Sequence, residues 1–400
     1  MEQGAGPLSG IRVVELGSMI AGPFAGRLLA DLGADVIKVE SPTGGDPLRE
    51  WNHVHGGASL WWRIQARNKR LVTADLRKPK GQALVRRLIA KSDLLIENFR
   101  PGTLERWDLD PLALRAEHPQ LIVVRISGFG QTGPYRARTG LGIVAEAMGG
   151  IRYLTGQPGG PTSRTGVALA DQTASLFAVI GALAGLVRRA REGRGDVVDV
   201  ALYEAVFALM EAAVTEYRHT GKVREAAGSA YTGVAPTNTY ATGDGKHVVI
   251  GGNSDALFPR LMRMIGRDDL ATNERYRTNP GRAGDSAALD RAIDDWTRSH
   301  SLAECLAALE RAEVPAGPIY SVADIATDPQ YQAREMLLER TLEDGTPIVI
   351  PGIVPRMTEA PGRIDRLGQV ELGADNADVY GGLLGVDETE RARLRDEGII

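Results

Sequence analysis

LSGIRVVELGSMIAGPFAGRLLADLGADVIKVE, residues 8–40, decides the fold class. IRVVEL (11–16) is a short apolar run that reads as a buried strand, and VIKVE (36–40) reads as a second. Between them, GSMIAGPFAGRLLADLGA is a glycine-containing turn that opens a helix. Strand, helix, strand makes a β-α-β unit, which implies parallel pairing and a right-handed crossover. The alternation continues through RLVTADL (70–76, strand), GQALVRRLIAKS (81–92, helix), DLLIENF (93–99, strand) and LIVVRISGFG (121–130, strand). Strands and helices alternating over this length predict an α/β protein with a doubly wound, Rossmann-like sheet.

Further along, the pattern predicts a long helix over 171–191, a strand at VVDVAL (197–202) and a helix over 203–220. Residues 221–233, GKVREAAGSAYTG, have loop composition and mark a boundary. TNTYAT and KHVVIGG flank Gly243-Asp244-Gly245, a hairpin signal. Helical patterns follow at 254–265, 285–299 and 301–312, and the last part holds a strand-like TPIVIPG and a polar terminal helix. This second region reads as a smaller α+β unit.

The chain of 400 residues is too long for one ordinary core, so two domains are expected. A net charge of -4 supplies no global basic field, which argues against nucleic-acid binding. The basic cluster Arg188, Arg189, Arg191 and Arg194 reads as a helix C-terminus complementing the macrodipole. The single cysteine, Cys305, permits no intramolecular disulfide and sits in an amphipathic pattern, so it reads as core. The longest apolar run, LFAVIGALAGLV (176–187), is shorter than the ~20 residues a membrane span needs. No signal-like segment opens the sequence, and a cytoplasmic protein without a membrane partner is expected.

Several catalytic classes lose their basis. A dinucleotide fingerprint needs G-x-G-x-x-G after the first strand, but here the glycines are Gly17, Gly22 and Gly26, so NAD is not expected even though Glu40 ends the second strand. There is no P-loop and no G-x-S-x-G elbow. His53 and His55 lack the companions that would complete a metal site, so no metal is expected. Asp171 precedes the apolar helix QTASLFAVIGALAGLVRRA, where an acid can cap the helix or stand in its first turn. By itself that pattern reads equally well as capping and as catalysis.

Taken together, the opening stretch on to SPTGGDPLR, then RNKRLVTADLRKPKG, ENFRPGTLERWDLD, ISGFGQTGP and GVALADQTASLFAVIGALAGL, resemble the class III CoA-transferases. That family includes formyl-CoA transferase and carnitine CoA-transferase. The likeness continues through PAGPIYSVADIATDPQYQAREML. It implies an enzyme that moves CoA between carboxylic acids, with Asp171 of the G-V-x-x-x-D context as nucleophile. The implied path runs through a mixed anhydride to an aspartyl-CoA thioester, which the acceptor acid then attacks. It further implies that Lys69, Asn98, Phe99 and Arg106 line the nucleotide end of a CoA site, that Met19 and Ile20 lie near the thioester, and that Arg138 is among the CoA-binding residues. The formyl-transferring branch has Gln at the position of Ile20, and an apolar residue there argues against formate or oxalate; that branch also shields its intermediates with a run of glycines that SAYTGVAPTNTYATGDG (229–245) lacks.

A sister branch of racemases uses a G-H-D histidine, where this chain has Leu141. One face of an α-carbon would then lack a proton carrier, so transfer is preferred to racemisation. A CoA-binding protein without catalysis is the remaining alternative, and the presence of Asp171 opposes it. Arg136, Arg138, Arg152 and Arg164 offer cations for a second substrate carboxylate, which suits succinyl-CoA or another dicarboxylyl-CoA donor. The resemblance also implies a large domain built from both chain ends (1–202 and 341–400), linkers at 203–228 and 318–340, an inserted small domain (229–317), and an interlocked homodimer.

Overall fold

The computed structural model describes residues 6–400. The chain forms two compact units, one of residues 6–151, 165–211 and 336–400, the other of 152–164 and 212–335.

The first unit is a mixed α/β fold around a six-stranded parallel sheet. Its strands are β1 (Arg12–Glu15), β2 (Asp35–Glu40), β3 (Lys69–Thr73), β4 (Leu94–Glu97), β5 (Ile122–Ser127) and β6 (Val197–Ala201), in the order β3-β2-β1-β4-β5-β6. Val13 stands in register with Val36 on one side and Leu94 on the other. Alternate side chains serve opposite faces, and both faces are covered. Val14, Ile37, Val72, Leu95 and Val123 pack in one core with helix α2 (Pro79–Ile89) and the C-terminal Val379, Tyr380 and Ile399. Val13, Val36, Leu94, Ile122 and Val124 pack in another with α1 (Ala21–Asp31) and α4 (Leu169–Glu192). Chain start and chain end therefore share one core.

Two shorter helices, α3 (Gly142–Met148) and α5 (Leu202–Phe207), complete the α4 side. In α4, Ala170, Ala174, Ala178 and Ala182 recur every fourth residue and form its buried stripe. Small side chains on this stripe let α4 come close to α1, where Ala21 and Ala25 face the same core. On the other side of α4, Leu176, Ile180 and Val187 are exposed. By length and composition α4 could cross a bilayer, but 44% of its most apolar stretch is buried within the fold. At its C-terminus the basic cluster pairs locally, Arg188 with Glu192 at 2.7 Å and Arg189 with Asp93 at 2.8 Å.

The helix expected over 203–220 is two helices, α5 and α6 (Ala213–Thr220). The break carries Glu211 at a positive φ of 50° and coincides with the border between the units. The segment has no Gly or Pro to announce it. The segment 152–164 belongs to the second unit because it pairs there: Tyr153 Oη donates to Glu225 at 2.8 Å, and Gly228 N donates to Gly156 O at 3.0 Å.

In the second unit, β7 (Thr237–Ala241) and β8 (His247–Gly251) form an antiparallel hairpin through Gly245, and β9 (Ala316–Pro318) adds to β8. Its core joins Tyr240, Val248 and Ile250 to α7 (Leu257–Met264), α8 (Ser286–Arg298) and α9 (Leu302–Arg311), with Cys305 fully buried. The chain re-enters the first unit at Met336. There β10 (Leu337–Thr341), placed in a linker by the sequence, pairs with β11 (Pro347–Pro351), and α10 (Glu388–Asp396) closes the fold.

Candidate active site

Parallel sheets concentrate ligand chemistry beyond the carboxyl ends of their strands, where the strand order reverses. In this sheet the reversal falls between β1 and β4. Beside it, beyond the ends of β1, β2 and β3, a cavity of about 330 Å³ is lined by Gly17 and Ser18 after β1, Lys38 and Asp46 from β2 and the loop after it, Arg77 after β3, and Phe99 after β4. Trp107 also lines it and meets Phe99 edge-on, with ring centroids 5.0 Å apart. Two aromatic faces and a mostly exposed guanidinium suit a flat base carrying phosphate.

The wall between this cavity and α1 is the loop Gly17–Ile20. Asn98 braces it by accepting from Ser18 N at 2.8 Å and donating to Ser18 O at 2.9 Å. This needs two of the three glycines that failed the dinucleotide fingerprint. A Cβ on Gly17 would stand 2.8 Å from Asn98 Oδ1, and one on Gly22 would stand 3.3 Å from it. Their spacing serves close approach of Asn98 instead of a pyrophosphate turn.

Below the loop runs a buried chain of charges. Glu15 and Lys38 are partners in the β1–β2 register, and Lys38 Nζ lies 3.1 Å from Glu15 Oε1 and 2.9 Å from Asp46 Oδ2. Lys69 Nζ lies 2.7 Å from Glu15 Oε2 and donates to Pro23 O at 2.7 Å. Burial alone would lower the pKa of the Lys38 ammonium, but Asp46 and Glu15 more than offset this and hold it protonated. Burial pushes Lys69 down to about 8 against the pull of Glu15. Lys69 is only 1% exposed and is absent from the cavity lining, its ammonium being held by Glu15 and Pro23 O.

Asp171 stands in the first turn of α4, where the helix's positive end favours a carboxylate. It is not the cap, since Ala168 holds that position without a side-chain bond. The carboxylate reaches over Gly142 at the start of α3, and a Cβ on Gly142 would overlap Asp171 Oδ2. Four residues on, the buried Ser175 Oγ lies 2.7 Å from Asp171 O and 2.6 Å from Ala21 O, the first residue of α1. The nucleophile candidate and the loop Gly17–Ile20 are thus tied through one hydroxyl.

The other expected residues distribute as follows. Met19 is half-buried in that loop, and Ile20 is buried as the N-cap of α1, its carbonyl accepting from Gln65 Nε2 at 3.1 Å. Phe99 lines the cavity, and Asn98 is not in its lining but holds Ser18, which is. Arg106 is exposed just before Trp107 and donates to Thr103 Oγ1 at 2.9 Å. Arg138 is exposed on the loop between β5 and α3, its guanidinium 3.6 Å from the centre of the Tyr135 ring. Leu141 is 64% exposed. Among the described residues no group of His, Cys, Asp and Glu is arranged to hold a metal ion.

Sequence reading missed Gly142, Ser175, Asp46 and Trp107. It had one signal for the charge chain: Glu15 and Lys38 are charges inside strands that are otherwise buried and apolar.

The model of CoA-transferase family III matches residues 8–376. The chain belongs to CoA-transferase family III. Among its relatives is the succinyl-CoA–D-citramalate CoA-transferase of Chloroflexus aurantiacus, 46% identical over 395 residues, which are 98% of each chain. The succinate–glutarate CoA-transferase of Agrobacterium fabrum is 38% identical, covering 96% of this chain and 97% of its own. A crystal structure of a CaiB/BaiF family protein from Brucella suis superposes with a TM-score of 0.81 at 38% identity, over 95% of this chain and 100% of that one. The protein is therefore a CoA-transferase, and coenzyme A is the group it moves. In this transferase the cavity beyond β1, β2 and β3 and the α4 terminus belong to the same unit.

Proposed function

We propose that the transferase moves CoA from succinyl-CoA, or another dicarboxylyl-CoA, to a free carboxylic acid through an aspartyl-CoA thioester on Asp171. The observation that carries this reading is the Asp171 carboxylate in the first turn of α4, seated over a glycine, with the backbone carbonyl of the same residue tied through Ser175 to Ala21 at the end of the loop that walls the cavity. The names of the relatives pair succinyl-CoA with D-citramalate and succinate with glutarate, which supports the choice of donor.

On this reading Asp171 attacks the thioester carbonyl and expels CoA thiolate, leaving a mixed anhydride. The thiolate attacks the aspartyl carbonyl and releases the donor acid, which leaves Asp171 as its CoA thioester. The acceptor carboxylate attacks next, and the steps run in reverse. No step exceeds an acyl exchange between activated carbonyls, so the barrier is divided. Phe99 and Trp107 hold the adenine end, Arg77, Arg106 and Arg138 meet anionic groups, and Met19 and Ile20 flank the acyl group. Leu141 offers no proton for racemisation.

The strand order and the two covered faces support a doubly wound nucleotide-binding layout. The exposed Leu176, Ile180 and Val187 of α4, with Ile143, Val144 and Met148 of α3, support a homodimer that covers them. A cytoplasmic setting is part of the same reading, and the lone buried thiol is compatible with a reducing compartment.

The test is incubation with succinyl-CoA and a panel of free acids, with acyl-CoA species read by mass spectrometry. Wild type should form new acyl-CoAs and, with hydroxylamine, a modified Asp171, while Asp171→Ala should do neither. Turnover by Asp171→Ala would overturn the nucleophile assignment, and exchange from a monocarboxylyl-CoA with none from succinyl-CoA would overturn the donor class.

A further inference from the structure

Met19 holds φ at +66°, in the left-handed region that disfavours a side chain bearing a Cβ. Its backbone is kept there by a carboxylate: Met19 N donates to Asp46 Oδ1 at 3.0 Å and Oδ2 at 3.2 Å. The neighbours are held in the same way. Lys38 Nζ donates to Gly17 O at 2.7 Å, Asn98 clasps both backbone groups of Ser18, and Gln65 donates to Ile20 O. Four consecutive residues are thus gripped by four side chains from different parts of the chain.

Asp46 is 3% exposed and Lys38 is 1% exposed. A buried ion pair is seldom more stabilising than apolar packing of the same volume, so stability alone gives little reason for this one. What it does here is geometric. Asp46 also accepts from Leu48 N at 2.9 Å, and its own N–H donates to Glu40 Oε2 at 2.9 Å, so the carboxylate cannot swing away from Met19. The gripped loop runs from the cavity to Ala21, whose carbonyl shares the Ser175 hydroxyl with Asp171 O.

We infer that Asp46, with Lys38 behind it, is a positioning residue for the transfer step: it clamps Met19 in the left-handed conformation, so that the backbone between the CoA cavity and Asp171 keeps a single course. The inference rests on Asp171 being the nucleophile. Asp46 and Lys38 also line the cavity, so direct contact with CoA is the rival role, and the inference predicts action through the backbone of residue 19 instead.

The experiment is a double-mutant cycle on the full-length enzyme with Asp46→Ala, Met19→Gly and the pair, reading kcat and the affinity for CoA. Asp46→Ala should lower kcat on the order of 100-fold while CoA affinity changes far less. Glycine adopts the positive φ without a clamp, so the same Asp46→Ala change should cost much less kcat once residue 19 is glycine. Asp46→Asn, which keeps an acceptor for Met19 N, should lose less than Asp46→Ala and serves also if the alanine variant fails to fold. Equal losses in both backgrounds, an equal loss in Asp46→Asn and Asp46→Ala, or a loss seen mainly in CoA affinity would each overturn the inference. Covalent labelling of residue 171 by succinyl-CoA separates the two ideas. Slowed labelling in Asp46→Ala keeps both, whereas absent labelling in active wild type sinks the nucleophile assignment itself.

Discussion

The Asp171 carboxylate occupies the space that a side chain on residue 142 would need: a Cβ built on Gly142 overlaps Oδ2 and lies 3.1 Å from Cγ. Gly142 has no positive φ, so its lack of a side chain serves close approach and not a turn. Gly142→Ala is therefore expected to turn the Asp171 side chain away and lower kcat on the order of 100-fold, since a misplacement near 1 Å costs about that much. Thermal melting should stay close to wild type. A variant with wild-type kcat would show that the carboxylate does not need this seat.

Ser175 presents one proton to two carbonyls, Ala21 O and Asp171 O, in a position with no solvent exposure. Ser175→Ala should cost about 1 kcal/mol, because the hydroxyl's link between the two buried helix carbonyls is lost. Urea denaturation checks the loss. Because Ala21 begins α1, kcat should fall in the same variant while CoA affinity holds.

Phe99 and Trp107 meet at 5.0 Å beside the cavity. If the adenine end of CoA stacks here, Phe99→Ala removes binding that is equal in ground and transition states. KM should rise for every acyl-CoA alike, by roughly 5–150-fold for a stacking loss of about 1–3 kcal/mol, with kcat little changed. An effect confined to one acyl group would place Phe99 near the acyl end instead.

Acid stability should report on Asp46. Burial would raise its pKa, but the Lys38 ammonium and the N–H groups of Leu48 and Met19 outweigh that and hold the carboxyl below its usual range. A group depressed in the folded state contributes stability above its unfolded value, about 3.9, and that contribution is lost as pH falls toward the folded value. Wild type should therefore lose melting temperature below about pH 4 more steeply than Asp46→Asn, which has no proton to take up there. Parallel curves between pH 3 and 7 would contradict the assignment.

Ile180 is 60% exposed on the face of α4 opposite its alanine stripe. A charge there should leave the unit's own core intact and disrupt an assembly that covers this face. Ile180→Asp is expected to shift sedimentation from dimer to monomer. Wild-type protein that sediments as a monomer would remove the basis for the dimer.

Some features were legible because their physics is local. Short apolar runs marked the strands and helical patterns the long helices, and Gly243-Asp244-Gly245 marked the β7–β8 turn, where Gly245 takes its positive φ. The break between α5 and α6 was not legible. Residues 203–220 form a continuous apolar helical pattern, and the interruption at Glu211 falls where the chain passes from one unit to the other. The fate of Lys69 was equally hidden. The resemblance put Lys69 of RNKR at the nucleotide end, and only the pairing of β2 with β3 shows it buried with its ammonium on Pro23 O and Glu15.

The sequence by itself determined the parallel α/β class, the presence of a second unit, the family and the position of Asp171 at the head of an apolar helix. Each of these depends on the order and spacing of residues near one another in the chain. Tertiary structure decided the surroundings of that aspartate. Gly142, Ser175, Ala21, Asp46 and Lys38 are separated from one another by up to 154 residues in the tied pairs, and they meet only because two strands and two helix ends converge at the reversal of strand order. Close approach at a glycine, a hydroxyl shared by two carbonyls and a carboxylate holding a left-handed residue are contacts in space, and no local pattern encodes them.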